Sequence, residues 1–154
     1  MGNEVYQSQK CKLKYSKSQI DRAAQLIRHG CSDEERQQSI EMIQNFRELH
    51  LYPLMLMKNH LARAAAKVDK DKKILVARRL KRLSTIIDKL ERPSLDGGRT
   101  SNAIKLTRMQ DVGGCRAIVR NLDQLIQLKG EHEKPRGSHR MMPSTGVKIT
   151  TIIS

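Results

Sequence analysis

The chain has 154 residues, enough for one domain with a real core, and thirty Lys and Arg against sixteen Asp and Glu leave a formal charge of +14. That excess favours polyanionic partners without choosing among nucleotides, nucleic acid and an anionic membrane, while no Trp, one Phe and three Tyr argue against the stacking platforms of many single-strand binders. Three scattered cysteines (Cys11, Cys31, Cys115) contain no C-x-x-C pair, and no apolar run approaches the roughly 20 residues of a membrane span, so a zinc ribbon, a disulfide framework and a spanning helix are all set aside in favour of a reducing cytoplasm.

In chain order, "MGNEVY" shows no signal-peptide core, and Tyr6 stands where a myristoylation signal needs Ser or Thr. "SKSQIDRAAQLIRHG" predicts a first helix, with Ile20, Ala23, Ala24 and Ile27 on one face and Gly30 as its stop. "SDEERQQSIEMIQNFRELH" predicts a second, opened by a Ser32/Glu35 capping box and by Asp33 and Glu34 at the positive end of the helix dipole. Its apolar stripe runs through Ile40, Ile43, Phe46 and either Leu49 or His50. Pro53 suits the first turn of a third helix, "PLMLMKNHLARAAAKV", with Leu54, Met57 and Leu61 inward and the methionines as core filler. His50 and His60 read as ordinary helix residues.

"ILVARRLKRLSTIIDKLER" has two readings. As one helix it aligns Leu80, Leu83, Ile87 and Leu90. As a strand from Ile74 to Arg82 it projects Arg79 and Lys81 from the same face, followed by a helix from Ser84 to Arg92. The bulky, β-branched start favours strand then helix. "PSLDGGRTSN" is a loop by composition, "GCRAIV" a buried strand and "NLDQLIQL" a short helix. From Lys129 the period is lost, so the chain divides into residues 1–128 and an irregular basic tail, 129–154, with a short strand at its end. His132 and His139 in that tail read as solvent-exposed and not as metal ligands.

Two features resist assignment from spacing. Asp111 in "RMQDVGGCRAIV" is either a turn former ahead of a strand or a carboxylate that holds a metal near Arg116. Lys81, Lys89 and Arg92 are either a solvated basic face or phosphate ligands.

Four segments in order resemble the RelA/SpoT-type alarmone synthetase domain, in its small, single-domain and toxin-like members, over roughly residues 13–128. They are "YSKSQIDRAAQLI"; "NFRELHLYPL", with Phe46 where the family has Trp; "RLKRLSTIIDKLER"; and "RMQDVGGCRAIV". The resemblance implies an α+β fold, nucleotidyltransferase-like, with N-terminal helices followed by the first strands of a mixed sheet. It implies ATP-dependent transfer of pyrophosphate to the 3′ hydroxyl of GDP or GTP, or, in toxic relatives, to the 3′ end of tRNA. It further implies that Arg79 and Arg116 sandwich the adenine, that Lys81, Lys89 and Arg92 hold the phosphates, and that Asp111 coordinates magnesium (Mg2+), with Asp111 and Lys89 at the reacting phosphate. Gly113 and Gly114 then allow close backbone approach. A non-catalytic basic remnant that binds RNA or nucleotide is the alternative, and self-association or an antitoxin partner stays open.

The acceptor half of the family's pattern is not found. No tyrosine follows Tyr52, so none stands where the family stacks guanine, and Glu133 is followed by no strand pattern that would make it a second metal-binding Glu. The expectation is therefore a truncated or frameshifted domain. The nucleotide sequence tests this: a second frame running on to Gly-Tyr-Arg-x-x-His is expected, and stop codons in every frame would refute it.

Overall fold

The computed structural model describes residues 10–71, 73–92 and 105–133, and the backbone of 147–153. Ser16 opens the first helix, α1 (Lys17–His29), with a capping box to Gln19, and Ser32 opens the second, α2 (Asp33–Glu48), with the expected box to Glu35. Gly30 closes α1 at φ 85°, a left-handed angle that glycine adopts without Cβ strain. The chain then turns through Leu49 and His50 into α3 (Leu51–Val68), whose first turn contains Pro53.

Of the two residues left open at the end of the α2 stripe, His50 is the buried one. Its Nδ1 lies 2.9 Å from the Phe46 carbonyl, and the two rings meet edge-on at 4.9 Å. The segment with two readings forms strand β1 (Leu75–Leu80) and then helix α4 (Leu83–Glu91), each starting a residue from its expected position. After a short 3-10 turn (Leu106–Arg108) come β2 (Gly113–Val119), α5 (Leu122–Glu133) and β3 (Val147–Ile153).

The sheet is mixed, in the order β1-β2-β3. β1 runs antiparallel to β2 from Leu75 opposite Ile118 to Leu80 opposite Gly113, and β2 runs parallel to β3. The α+β class therefore holds. Helix α5 lies in the crossover between the parallel pair, the kind of connection that parallel pairing demands. It continues past Leu128 to Glu133, so His132 is not in an irregular stretch as expected. It is half-buried, its ring packs edge-on against His60 at 4.7 Å, and its carbonyl lies 3.2 Å from His60 Nε2. The charged run in this stretch hides the apolar period, and the helix continues through it. The loop expected at 93–102 and His139 lie outside the described residues.

Two apolar cores result. One joins α1, α2 and α4 through Ile20, Ala24, Ile43, Ile86 and Leu90, closed by Leu106, Met109 and Val112. The other packs α3 and α5 on one face of the sheet through Leu54, Leu61, Ala64, Cys115, Ala117, Val119 and Leu128. Leu80, at the end of β1, packs against both. The alternation of β2 is complete: Cys115, Ala117 and Val119 are buried while Arg116 and Ile118 are exposed. One face of the sheet is thus covered by helices, and the opposite face of β1 and β2 carries the more exposed side chains.

Asp69 sets where β1 begins. It ends α3, and its carboxylate accepts from the backbone N–H groups of Asp71, Lys73 and Ile74 at 3.2, 2.9 and 3.0 Å. Removing it leaves three donors to be satisfied by water or not at all. Asp69→Ala is expected to cost about 1 to 3 kcal/mol in urea denaturation, and an unchanged midpoint would show that the turn forms without it.

Candidate functional site

At the junction of the two cores the open face of the sheet forms a cavity of about 300 Å³, lined by Ala77, Arg79, Lys81, Thr85, Asp111 and Arg116, with Gly113 and Gly114 also at its wall. This is at the lower end of small-molecule sites, which run from about 300 Å³ upward. The pleat explains the membership. Ala77 and Arg79 share the face away from the helices, and in the register Ala77 stands opposite Arg116 while Arg79 stands opposite Gly114. Arg79 and Arg116 are therefore diagonal neighbours, and Gly114 places no side chain between them.

Lys81 is held at every polar group. Its backbone N–H donates to the Val112 carbonyl at 2.8 Å. Its carbonyl accepts from Arg47 Nε at 2.6 Å. Its Nζ donates to Asp111 Oδ2 at 2.6 Å. From α4, Lys89 Nζ reaches the same carboxylate, 3.1 Å from Oδ1 and 3.2 Å from Oδ2. Lys89 sits in the last turn of its helix, where the helix dipole favours a cation.

The loop that presents Asp111 is anchored from below. Asp21 on α1 accepts from the Thr107 backbone N–H at 3.0 Å and from its hydroxyl at 2.8 Å, and Leu106, Met109 and Val112 are buried around it. Burial pushes the Asp111 carboxyl up, but the hydrogen bonds and charges of Lys81 and Lys89 outweigh it and hold the carboxyl below its ordinary value.

Four of the six residues expected at the site line the cavity, Arg79, Lys81, Asp111 and Arg116, and Lys89, which does not line it, joins them through its bonds to Asp111. Arg92, at the end of α4, is exposed and does not line the cavity. Arg47 and Thr85 were not anticipated as site residues. Arg47 stands within "NFRELH", but its bond is to a backbone carbonyl 34 positions away, a contact that leaves no mark in side-chain spacing.

Among the described residues no three His, Cys, Asp or Glu side chains gather to hold a metal. Asp111 is a single hard carboxylate facing the cavity. That donor set suits magnesium only when phosphate oxygens and waters supply the rest of the shell, and both carboxylate oxygens now face ammonium groups. The chemistry of the cluster is otherwise that of an anion site: four cations, Arg79, Arg116, Lys81 and Lys89, around one carboxylate. Cys115 also borders the cavity, but its side chain is buried in the core, with Sγ 3.7 Å from the Leu54 carbonyl, and burial raises its thiol above the ordinary value.

No protein-family model matches the chain, and no curated protein matches it. Among the described residues no helix is long and apolar enough to cross a membrane.

A carboxyl held low in the folded chain stabilises the fold above the ordinary carboxylate range, and that contribution is lost as pH falls through the lowered value. Wild type is accordingly expected to exceed Asp111→Asn in stability at neutral pH, with the difference shrinking below about pH 4. Urea denaturation of both proteins across the acid range measures it. A difference that persists unchanged into strong acid would show that the lysines do not hold the carboxylate in solution.

Proposed function

We propose that this cavity is the ATP-binding, pyrophosphate-donor site of an alarmone-type pyrophosphokinase working in the cytoplasm, with GDP or GTP as the acceptor class. The observation that carries the reading is that Arg79, Arg116 and Lys81 line one cavity with Asp111, whose carboxylate Lys89 reaches from α4. The order of a helical layer followed by a mixed sheet supports a nucleotidyltransferase-like architecture, and the four ordered sequence segments support the family.

Phosphoryl-group transfer needs positioning and charge neutralisation more than covalent chemistry from the protein. In this reading the planar guanidinium groups of Arg79 and Arg116 stack on the two faces of the base. Lys81 and Lys89 bind the phosphate chain as point charges. Asp111 would hold magnesium, which when bound supplies Lewis-acid neutralisation of the phosphate oxygens. Arg47 positions Lys81 by fixing its carbonyl. Among the described residues lining the cavity none is aromatic, so the reading covers the donor half of the reaction. The tRNA 3′ end remains the alternative acceptor.

Calorimetry with ATP and magnesium tests the site. Arg79→Ala and Lys81→Ala are each expected to weaken binding by about 1 to 3 kcal/mol, the loss of a charge-assisted contact. Equal affinity in wild type and both variants would remove these residues from the site. Binding that unrelated RNA displaces and that falls steeply with salt would instead identify a generic basic face.

A further inference from the structure

The cluster already contains an anion where the donor reading puts phosphate. Lys81 and Lys89 reach it from different elements, the end of β1 and the last turn of α4, and meet on the two oxygens of one carboxylate at 2.6, 3.1 and 3.2 Å. An ammonium group has donors only, and it bonds a carboxylate oxygen and a phosphoryl oxygen in the same charge-assisted way. The site is also partly accessible, with side-chain exposures of 18% for Lys81, 34% for Lys89 and 40% for Asp111, so an incoming anion can compete for the lysines.

We propose that Asp111 is an internal stand-in for phosphate, so that a polyphosphate and a divalent cation enter this site only as a unit. The proposal rests on the reading of the cavity as a phosphate-donor site. A polyphosphate arriving alone meets the negative charge of Asp111 and two lysines already engaged. A divalent cation arriving alone meets two ammonium groups bonded to Asp111, the one carboxylate among the described residues that line the cavity. When both arrive together the cation takes the carboxylate as the phosphates take the lysines, and every charge keeps an opposite partner. Asp111 thereby opposes cation-free polyphosphate and favours the cation-bound form. The coupling is reciprocal, since linkage requires each ligand to raise the affinity of the other by the same factor.

The full 154-residue chain tests this with inorganic tripolyphosphate, which carries no base and isolates the phosphate subsite. In chelator, Asp111→Asn is expected to bind cation-free tripolyphosphate roughly tenfold more tightly than wild type, within the range typical of coupled sites. The gain from added magnesium is expected to disappear in that variant.

Lys89→Gln provides a second reading that does not depend on the folding of Asp111→Asn. It frees one carboxylate oxygen, so binding of manganese alone, followed by electron paramagnetic resonance, is expected to become measurable where wild type shows none. Equal or weaker cation-free binding by a folded Asp111→Asn, or manganese binding alone by wild type, overturns the stand-in and leaves the donor site standing if ATP with magnesium still binds. No binding of tripolyphosphate or of ATP with magnesium by wild type overturns the donor reading and this inference with it.

Discussion

One carboxylate answering to two ammonium groups is the constraint around which the open face is organised. Lys81 and Lys89 are close enough to repel, and Asp111 makes their proximity tolerable. Each is delivered by a different device. A strand end held by the Val112 carbonyl and by Arg47 fixes Lys81, a helix terminus carries Lys89, and a loop anchored through Thr107 to Asp21 presents Asp111. Charges are brought this near only when backbone and core settle their places first. The buried residues on either side of the loop, Met109 and Val112, do so here.

Much of the fold is legible in the residues alone, because its local rules agree. The Ser32/Glu35 box, the spacing of Ile20, Ala23, Ala24 and Ile27, and the short apolar run of "GCRAIV" each identify an element, though that strand is buried on one face only. Less legible is what depends on partners distant in sequence. Asn45 is buried in α2 because it pins the incoming chain, accepting from the Lys14 N–H at 3.0 Å and donating to the Lys12 carbonyl at 3.1 Å. A polar residue so used interrupts the apolar stripe without ending the helix. The far end of α5 is illegible for a related reason, since it meets α3 through the His60–His132 ring pair and the Lys67–Glu131 ion pair within a charged stretch.

The candidate site divides along the same line. That Arg79 and Lys81 project together follows from the period of a strand, and that Gly114 leaves room beside Arg79 follows once the register is known. Neither the register nor the meeting of Lys89 with Asp111, 22 positions apart, is inscribed in spacing. The ordered resemblance groups Lys89 and Asp111 in one expected site where periodicity is silent, but it implies neither their contact nor the register. It also named Arg92, which the geometry leaves at the end of α4, outside the cavity. Arg47 shows the converse: its partner is a carbonyl, which every residue possesses, so nothing about position 81 marks it as the target.

The chain visits its two cores in alternation. α1 and α2 belong to the first, α3 and β1 to the second, α4 through Val112 to the first again, and β2 with α5 to the second. No single cut between successive elements gives each fragment one complete core. Neither core can therefore assemble fully from a contiguous stretch, and loosening one exposes apolar surface in segments flanked on both sides by the other. Such interleaving favours gain and loss of the two cores together over independent folding of either. The cationic cavity takes Arg79 and Lys81 from either side of Leu80, the residue that packs against both cores.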